Sequence, residues 1–220
     1  MKQVFAVQPR TIMVLISSFP YTINWSQQYI PAILHMAHSS QDEGTAIARV
    51  LFGDYNPGGH LVVTWPKSID QLPPMMDYDI RHGRTYMYFK GEPLYPFGFG
   101  LSYTRFKMAN LHTSGPTADG ILHITADVTN TGSRAGDEVI QVYVHHLKSA
   151  VPWPAEELKG FLRVSLAPGE SRTVAIPLKV ADLAYWNQKL DRFVSEKEPV
   201  ELLMGDSSRD ILLTTKVELR

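Results

Sequence analysis

Asp77 and Asp79 stand two residues apart around Tyr78 in this 220-residue chain. In an extended segment, positions i and i+2 point the same way. Facing carboxylates are the equipment for hydrolysing a glycosidic bond. Two solvated charges on a loop are the commoner explanation of such a pair. His35 and His38 lie three apart, and His145 and His146 are adjacent. A metal site needs further ligands converging on the same point. His35 sits in an apolar run and reads as a core histidine. His145 and His146 fall on alternate faces of a strand, so they cannot share one ion. Gly205-Asp-Ser-Ser208 has the composition of a hydrolase nucleophile turn. It lies between two late strands, where a hairpin turn is the better reading. Tyr86, Tyr88, Phe89, Tyr95, Phe97, Phe99 and Tyr103 offer flat faces for sugar rings. Their alternation with Gly and Pro favours a linker cemented onto a neighbouring domain. Trp153, Tyr185 and Trp186 could form a second aromatic platform, with at least one of them expected in the core. No G-x-S-x-G elbow, P-loop or G-x-G-x-x-G occurs.

Composition narrows the classes further. Lys and Arg total 21 against 22 Asp and Glu, so no charge excess recruits nucleic acid or an anionic membrane. The chain has no cysteine, which excludes disulfides, zinc–cysteine sites and thiol nucleophiles. The apolar run Ile12 to Ile16 is far short of the roughly 20 residues that span a bilayer. No cleavable leader pattern is visible near Met1.

The elements that must position these groups fall into two styles. Met1 to Val7 reads as a helix ended by Pro9. Thr11 to Ile16 and Ala32 to Ala37 are continuous apolar runs, the mark of strands buried on both faces of a parallel sheet. Residues 42–52 predict a helix capped by Ser39 or Ser40. Its apolar stripe is Ala46, Ile47, Val50 and Leu51, and Gly53 stops it. These elements imply part of an α/β sheet domain over residues 1–75. Residues 76–104 form an irregular linker dense in Gly, Pro and aromatics. From 105 to 220 the pattern alternates. Leu122, Ile124, Ala126 and Val128 point one way, and Asn130-Thr-Gly132 turns. Strands follow at Val139–Val144, Leu158–Leu166, Thr173–Leu178, Val200–Met204 and Ile211–Leu219. Short strands at this spacing predict an all-β sandwich.

Three long motifs carry a family resemblance. The segment from Asp42 to Gly59, continuing to Leu61 and Thr64-Trp-Pro66, resembles the end of the second domain of family 3 glycoside hydrolases. Tyr95-Pro-Phe-Gly-Phe-Gly-Leu-Ser-Tyr-Thr104 is similar to the stretch entering that family's third domain. Glu157-Leu-Lys-Gly-Phe161 with Leu166-Ala-Pro-Gly-Glu170 resembles the third domain itself, an immunoglobulin/fibronectin III-like sandwich. Gly83 to Leu94 looks most like the branch holding β-xylosidases and related β-glucosidases or arabinofuranosidases. Two departures stand out. Ser40 and Glu43 replace glycines of a Gly-Gln-Glu-Gly-Gly run, and Val62 replaces a proline.

The resemblance implies a retaining exo-glycosidase. An Asp nucleophile and a Glu acid/base would stand about 5 Å apart across a β-linked substrate. The nucleophile belongs to an N-terminal catalytic barrel domain. The acid/base belongs to a loop upstream of the strand that Thr11 begins. Neither has a matching position here, so no catalytic, cofactor-binding or metal-binding residue is assigned, no cofactor is implied, and substrate contacts stay unassigned. The implied partners are a β-linked glycoside or oligosaccharide and the missing barrel. The resemblance implies a secreted or periplasmic parent. The alternative reading is a non-enzymatic sandwich that binds carbohydrate or protein.

Overall fold

A computed structural model describes residues 1–38 and 41–219, which form two compact units. The first comprises residues 1–55 and 62–96; the second comprises 56–61 and 97–220. The chain therefore lends residues 56–61 to the second unit and returns to the first before crossing for good at 97.

In the first unit, α1 (Lys2–Val7) precedes β1 (Ile12–Ile16), α2 (Asn24–Tyr29), β2 (Ala32–Met36) and α3 (Glu43–Leu51). Strands β1 and β2 pair in parallel, from Ile12 opposite Ala32 to Ile16 opposite Met36. A parallel pair needs a crossover, and α2 supplies it. The sequence reading missed α2 because Asn24–Tyr29 carries neither a side-chain cap nor an acidic first turn. Burial of β1 on both faces is corrected. Ile12, Val14 and Ile16 are exposed, because no layer of these described residues covers that face. Helix α3 starts at Glu43, and Gly53 takes the left-handed conformation (φ 80°) that ends it. Ser39 and Ser40, the expected caps, lie outside the described residues. Asp42 occupies the N-cap with φ 58° and caps no amide with its side chain. Left-handed backbone falls on an Asp, which tolerates it better than most side chains, beside Glu43, one of the positions where the family has glycine.

The core of this unit is thin. Among the described residues its buried apolar side chains are Ile30, Trp65 and Phe89, with Pro66 and Pro93. Trp65 packs edge-on against His35 (5.0 Å) and Tyr95 (5.8 Å). Its backbone bridges Tyr95, with Trp65 N–H donating to the Tyr95 carbonyl at 2.8 Å.

The second unit is a β-sandwich. One sheet has the order β11 (Ile211–Glu218), β10 (Pro199–Gly205), β5 (Gly136–His146), β6 (Glu157–Leu166). The other has the order β3 (Phe106–Pro116), β4 (Ile121–Asn130), β7 (Ser171–Lys179). All these neighbours pair antiparallel. The core contains the expected Leu122, Ile124, Ala126 and Val128, facing Ile140, Val142, Val144, Leu202 and Met204. A short hairpin, β8 (Tyr185–Asn187) with β9 (Arg192–Val194), projects between β7 and β10.

Candidate functional site: a carboxylate cleft in the sandwich unit

Strand β5 is buried on both faces over Ile140 to Val144. On one phase Ile140, Val142 and Val144 enter the core. On the other, Gln141 meets polar backbone from segment 97–100 and the β10–β11 turn, and Tyr143 lies beside it. Tyr143 donates from its hydroxyl to Gln141 Oε1 at 2.6 Å. Gln141 Nε2 donates to the carbonyls of Gly98 (3.1 Å) and Asp206 (2.5 Å). Gly98 has φ +82°, and a Cβ there would stand 2.1 Å from Gln141 Oε1. Only glycine lets this backbone approach the amide so closely.

Asn56 fastens the returning segment. Its Nδ2 donates to the Ala135 carbonyl at 2.9 Å, and its Oδ1 accepts from Ser102 Oγ (2.9 Å) and Tyr103 N–H (2.7 Å). Nearby Asn130, fully buried, accepts from Thr104 Oγ1 and the Gly132 N–H and donates to the carbonyls of Arg134 and Leu166. A buried amide with its donors and acceptors satisfied fixes geometry at little cost.

Beside these anchors lies an open cleft of about 700 Å³, walled by residues 100–106 and 131–133 and floored by Glu138 and Asp206. Glu138 is 7% exposed and shares the strand phase of Ile140 and Val142. Its Oε1 accepts from the Val139 N–H at 3.1 Å and stands 3.8 Å from His60 Nε2. His60 Nδ1 donates to the Gly98 carbonyl at 2.5 Å. Burial and then the nearby Asp206 push the Glu138 carboxyl up to about 7. Burial and Asp210 also push Asp206 up, against a smaller opposing pull from His60. Asp206 Oδ1 is buried without a hydrogen-bond partner. A second buried acid, Glu156, is likewise pushed up to about 7 by burial, although Arg209 opposes it.

A carboxyl held protonated near neutrality is what a general acid requires. A retaining glycosidase also needs its second carboxylate ionised, and here burial shifts both carboxyls in the same upward direction rather than apart. The pair does not divide the two roles. The sequence reading missed this cluster. Its signal was a glutamate at a core phase of a buried strand, which alternation alone identifies.

The residues singled out from sequence are scattered. Asp77 accepts from His82 (2.7 Å), and Asp79 is clamped by Arg81, with Nε donating at 2.8 Å. The His82 hydrogen bond lowers Asp77, and the Arg81 hydrogen bond lowers Asp79 to about 2. Both therefore stand as paired anions with no proton to give near neutrality. His35 Nε2 donates to the Ser17 carbonyl at 3.2 Å, while His38 bonds Ser18 Oγ at 2.7 Å. His145 Nδ1 donates to the Ala155 carbonyl at 2.6 Å. His146 Nδ1 instead meets Glu198 Oε1 at 2.6 Å, and its ring stacks on Trp153 at 3.9 Å. Within Gly205-Asp-Ser-Ser208 both serines are buried, and Ser207 Oγ accepts from the N–H groups of Arg209 and Asp210. This is a hairpin turn; its Asp206, not its serines, reaches the cleft. Trp153, Tyr185 and Trp186 do not make one platform: Trp153 lies on His146, while Trp186 pairs edge-on with exposed Phe193 at 5.2 Å. Of the junction aromatics, Phe89 is core and Tyr103 is exposed.

Residues 1–103 match the family model described as the glycosyl hydrolase family 3 C-terminal domain, and residues 138–208 match that of a fibronectin type III-like domain. The chain belongs to glycoside hydrolase family 3. Over 213 residues this family 3 chain is 37% identical to the periplasmic beta-glucosidase of Salmonella typhimurium, covering 90% of itself and 28% of that protein. It is 39% identical over 179 residues to the xylan 1,4-beta-xylosidase of Xylanibacter ruminicola, covering 81% of itself and 20% of that protein. Among solved structures, beta-glucosidase from Kluyveromyces marxianus in complex with glucose superposes with a TM-score of 0.91 at 33% identity, covering 100% of this chain and 28% of that one. Beta-D-glucoside glucohydrolase from Trichoderma reesei also gives 0.91, at 28% identity, covering 100% of this chain and 35% of that one. The family 3 chain thus spans about three tenths or less of the length of these curated relatives.

Proposed function

We propose that this chain is scaffold for a retaining, exo-acting β-glycosidase that removes terminal β-linked glucose or xylose, and that alone it hydrolyses nothing. Residues 1–75 would complete the α/β domain, 76–104 the junction, and 105–220 the sandwich. The nucleophile and acid/base would come from the family's upstream barrel and loop.

The observation that carries this reading is the imbalance of the first unit. Ile30, Trp65 and Phe89 are buried, while Ile12, Val14, Ile16, Phe52, Met75 and Met76 are exposed. Apolar area on that scale marks a surface made to be covered. The sandwich, by contrast, is a fully furnished core.

The test is a chimaera that joins the upstream portion of the Salmonella relative to this chain. We expect turnover of an aryl β-glucoside or β-xyloside with the β-anomer as first product by NMR. That upstream portion alone should be inactive. An inactive but folded chimaera, or one releasing the α-anomer first, would overturn the proposal.

A further inference from the structure

At and beside the cleft stands a group of titratable side chains that the proposed glycosidase role does not use. Glu138 comes from β5, Asp206 and Asp210 from the β10–β11 turn, and His60 from segment 56–61. Arg105 lines the rim, while neighbouring Asp137 is already paired with Arg163 on β6. Among the described residues His60 is the ion-pair partner of Glu138, and a histidine is a cation only when protonated. The same His60 holds the Gly98 carbonyl, and Gly98 is also the point where Gln141 grips the chain. Two further backbone bonds close this joint. Leu61 N–H donates to Phe99 O, and Gly98 N–H donates to Leu61 O, both at 2.8 Å.

We infer that His60, Glu138 and Asp206 form a proton-operated latch, which holds segments 56–61 and 97–100 on the sandwich when protonated and loosens them as the cleft becomes anionic. The mechanism is charge balance. While Glu138 is neutral, the floor carries no repulsion between it and Asp206. As pH rises through its raised value, Glu138 ionises beside Asp206. The buried Glu138 carboxylate then adds like charge beside Asp206, and burial makes that repulsion expensive. The sign follows from the raised folded pKa of Glu138, about 7 against an ordinary 4.5. Its contribution to stability is complete below the unfolded value and is lost as pH climbs through the folded one. The latch is independent of whether a parent enzyme hydrolyses glycosides.

Amide exchange of the whole chain by NMR tests it, read as protection factors that divide out intrinsic pH dependence. In the unaltered chain, Gly98 and Leu61 should lose about tenfold protection or more between pH 6 and pH 8, equivalent to one unit of linked titration. Ile124 and Ala126 in the core should hold steady. Glu138→Gln should abolish the fall, and Asp206→Asn should reduce it. Protection at Gly98 and Leu61 that is the same at both pH values, or a fall that persists in Glu138→Gln, would overturn the latch.

Discussion

Gly98→Ala should destabilise the sandwich unit by about 3–5 kcal/mol, read as a lower urea midpoint at unchanged slope. Two costs combine. The residue sits at φ +82°, where a side chain is strained, and the new Cβ would land 2.1 Å from Gln141 Oε1. Gln141 would have to move, breaking its bonds to Gly98 and Asp206 and the one it accepts from the Tyr143 hydroxyl. The control is Gly169→Ala. Its φ is +74°, but open space surrounds the position. Only backbone strain is added there, about 1 kcal/mol. Equal losses at the two positions would show that the close approach to Gln141 contributes nothing.

Trp65→Ala should cost the first unit about 3–5 kcal/mol, as large-to-small core changes do. The thin core leaves little to refill the space. Trp65 is 2% exposed and stands between His35 of β2 and Tyr95. Removing it deprives β2 of its main covering ring and the 62–96 segment of its anchor. Proteolysis should follow the loss, with cleavage concentrating in residues 62–96. A variant as resistant to protease as the parent chain would contradict the account of this core.

Much of this fold was legible in the residues, for reasons that differ between the units. In the sandwich, alternation of Leu122 through Val128 reports one buried face directly, because a strand's period is two. The turn residues of Asn130-Thr-Gly132 and Ala167-Pro-Gly-Glu170 sit where the chain passes from one sheet to the other. In the first unit, apolar runs revealed the parallel pair, but burial was overcalled. The run Ile12 to Ile16 is apolar throughout, yet Ile12, Val14 and Ile16 are exposed among the described residues. Helix α2 escaped because six residues are too few to show a helical period. The cleft was the least legible part. Glu138, Asp206 and His60 lie far apart in sequence; the β5–β10 pairing brings the first two near each other, and segment 56–61 adds His60. Asp77 and Asp79, which read more readily as solvated loop charges than as a catalytic pair, are paired with His82 and Arg81.

Hydrolysis of 4-nitrophenyl β-glucoside and β-xyloside by the purified chain is the most direct test of the central claim that the catalytic pair lies outside these residues. No release of nitrophenol above buffer is expected at any pH from 4 to 8, with or without Asp77→Asn/Asp79→Asn. Turnover by the chain alone would contradict the claim. Loss of that turnover in the double variant would place the chemistry on the loop, and its loss in Glu138→Gln would place it in the cleft.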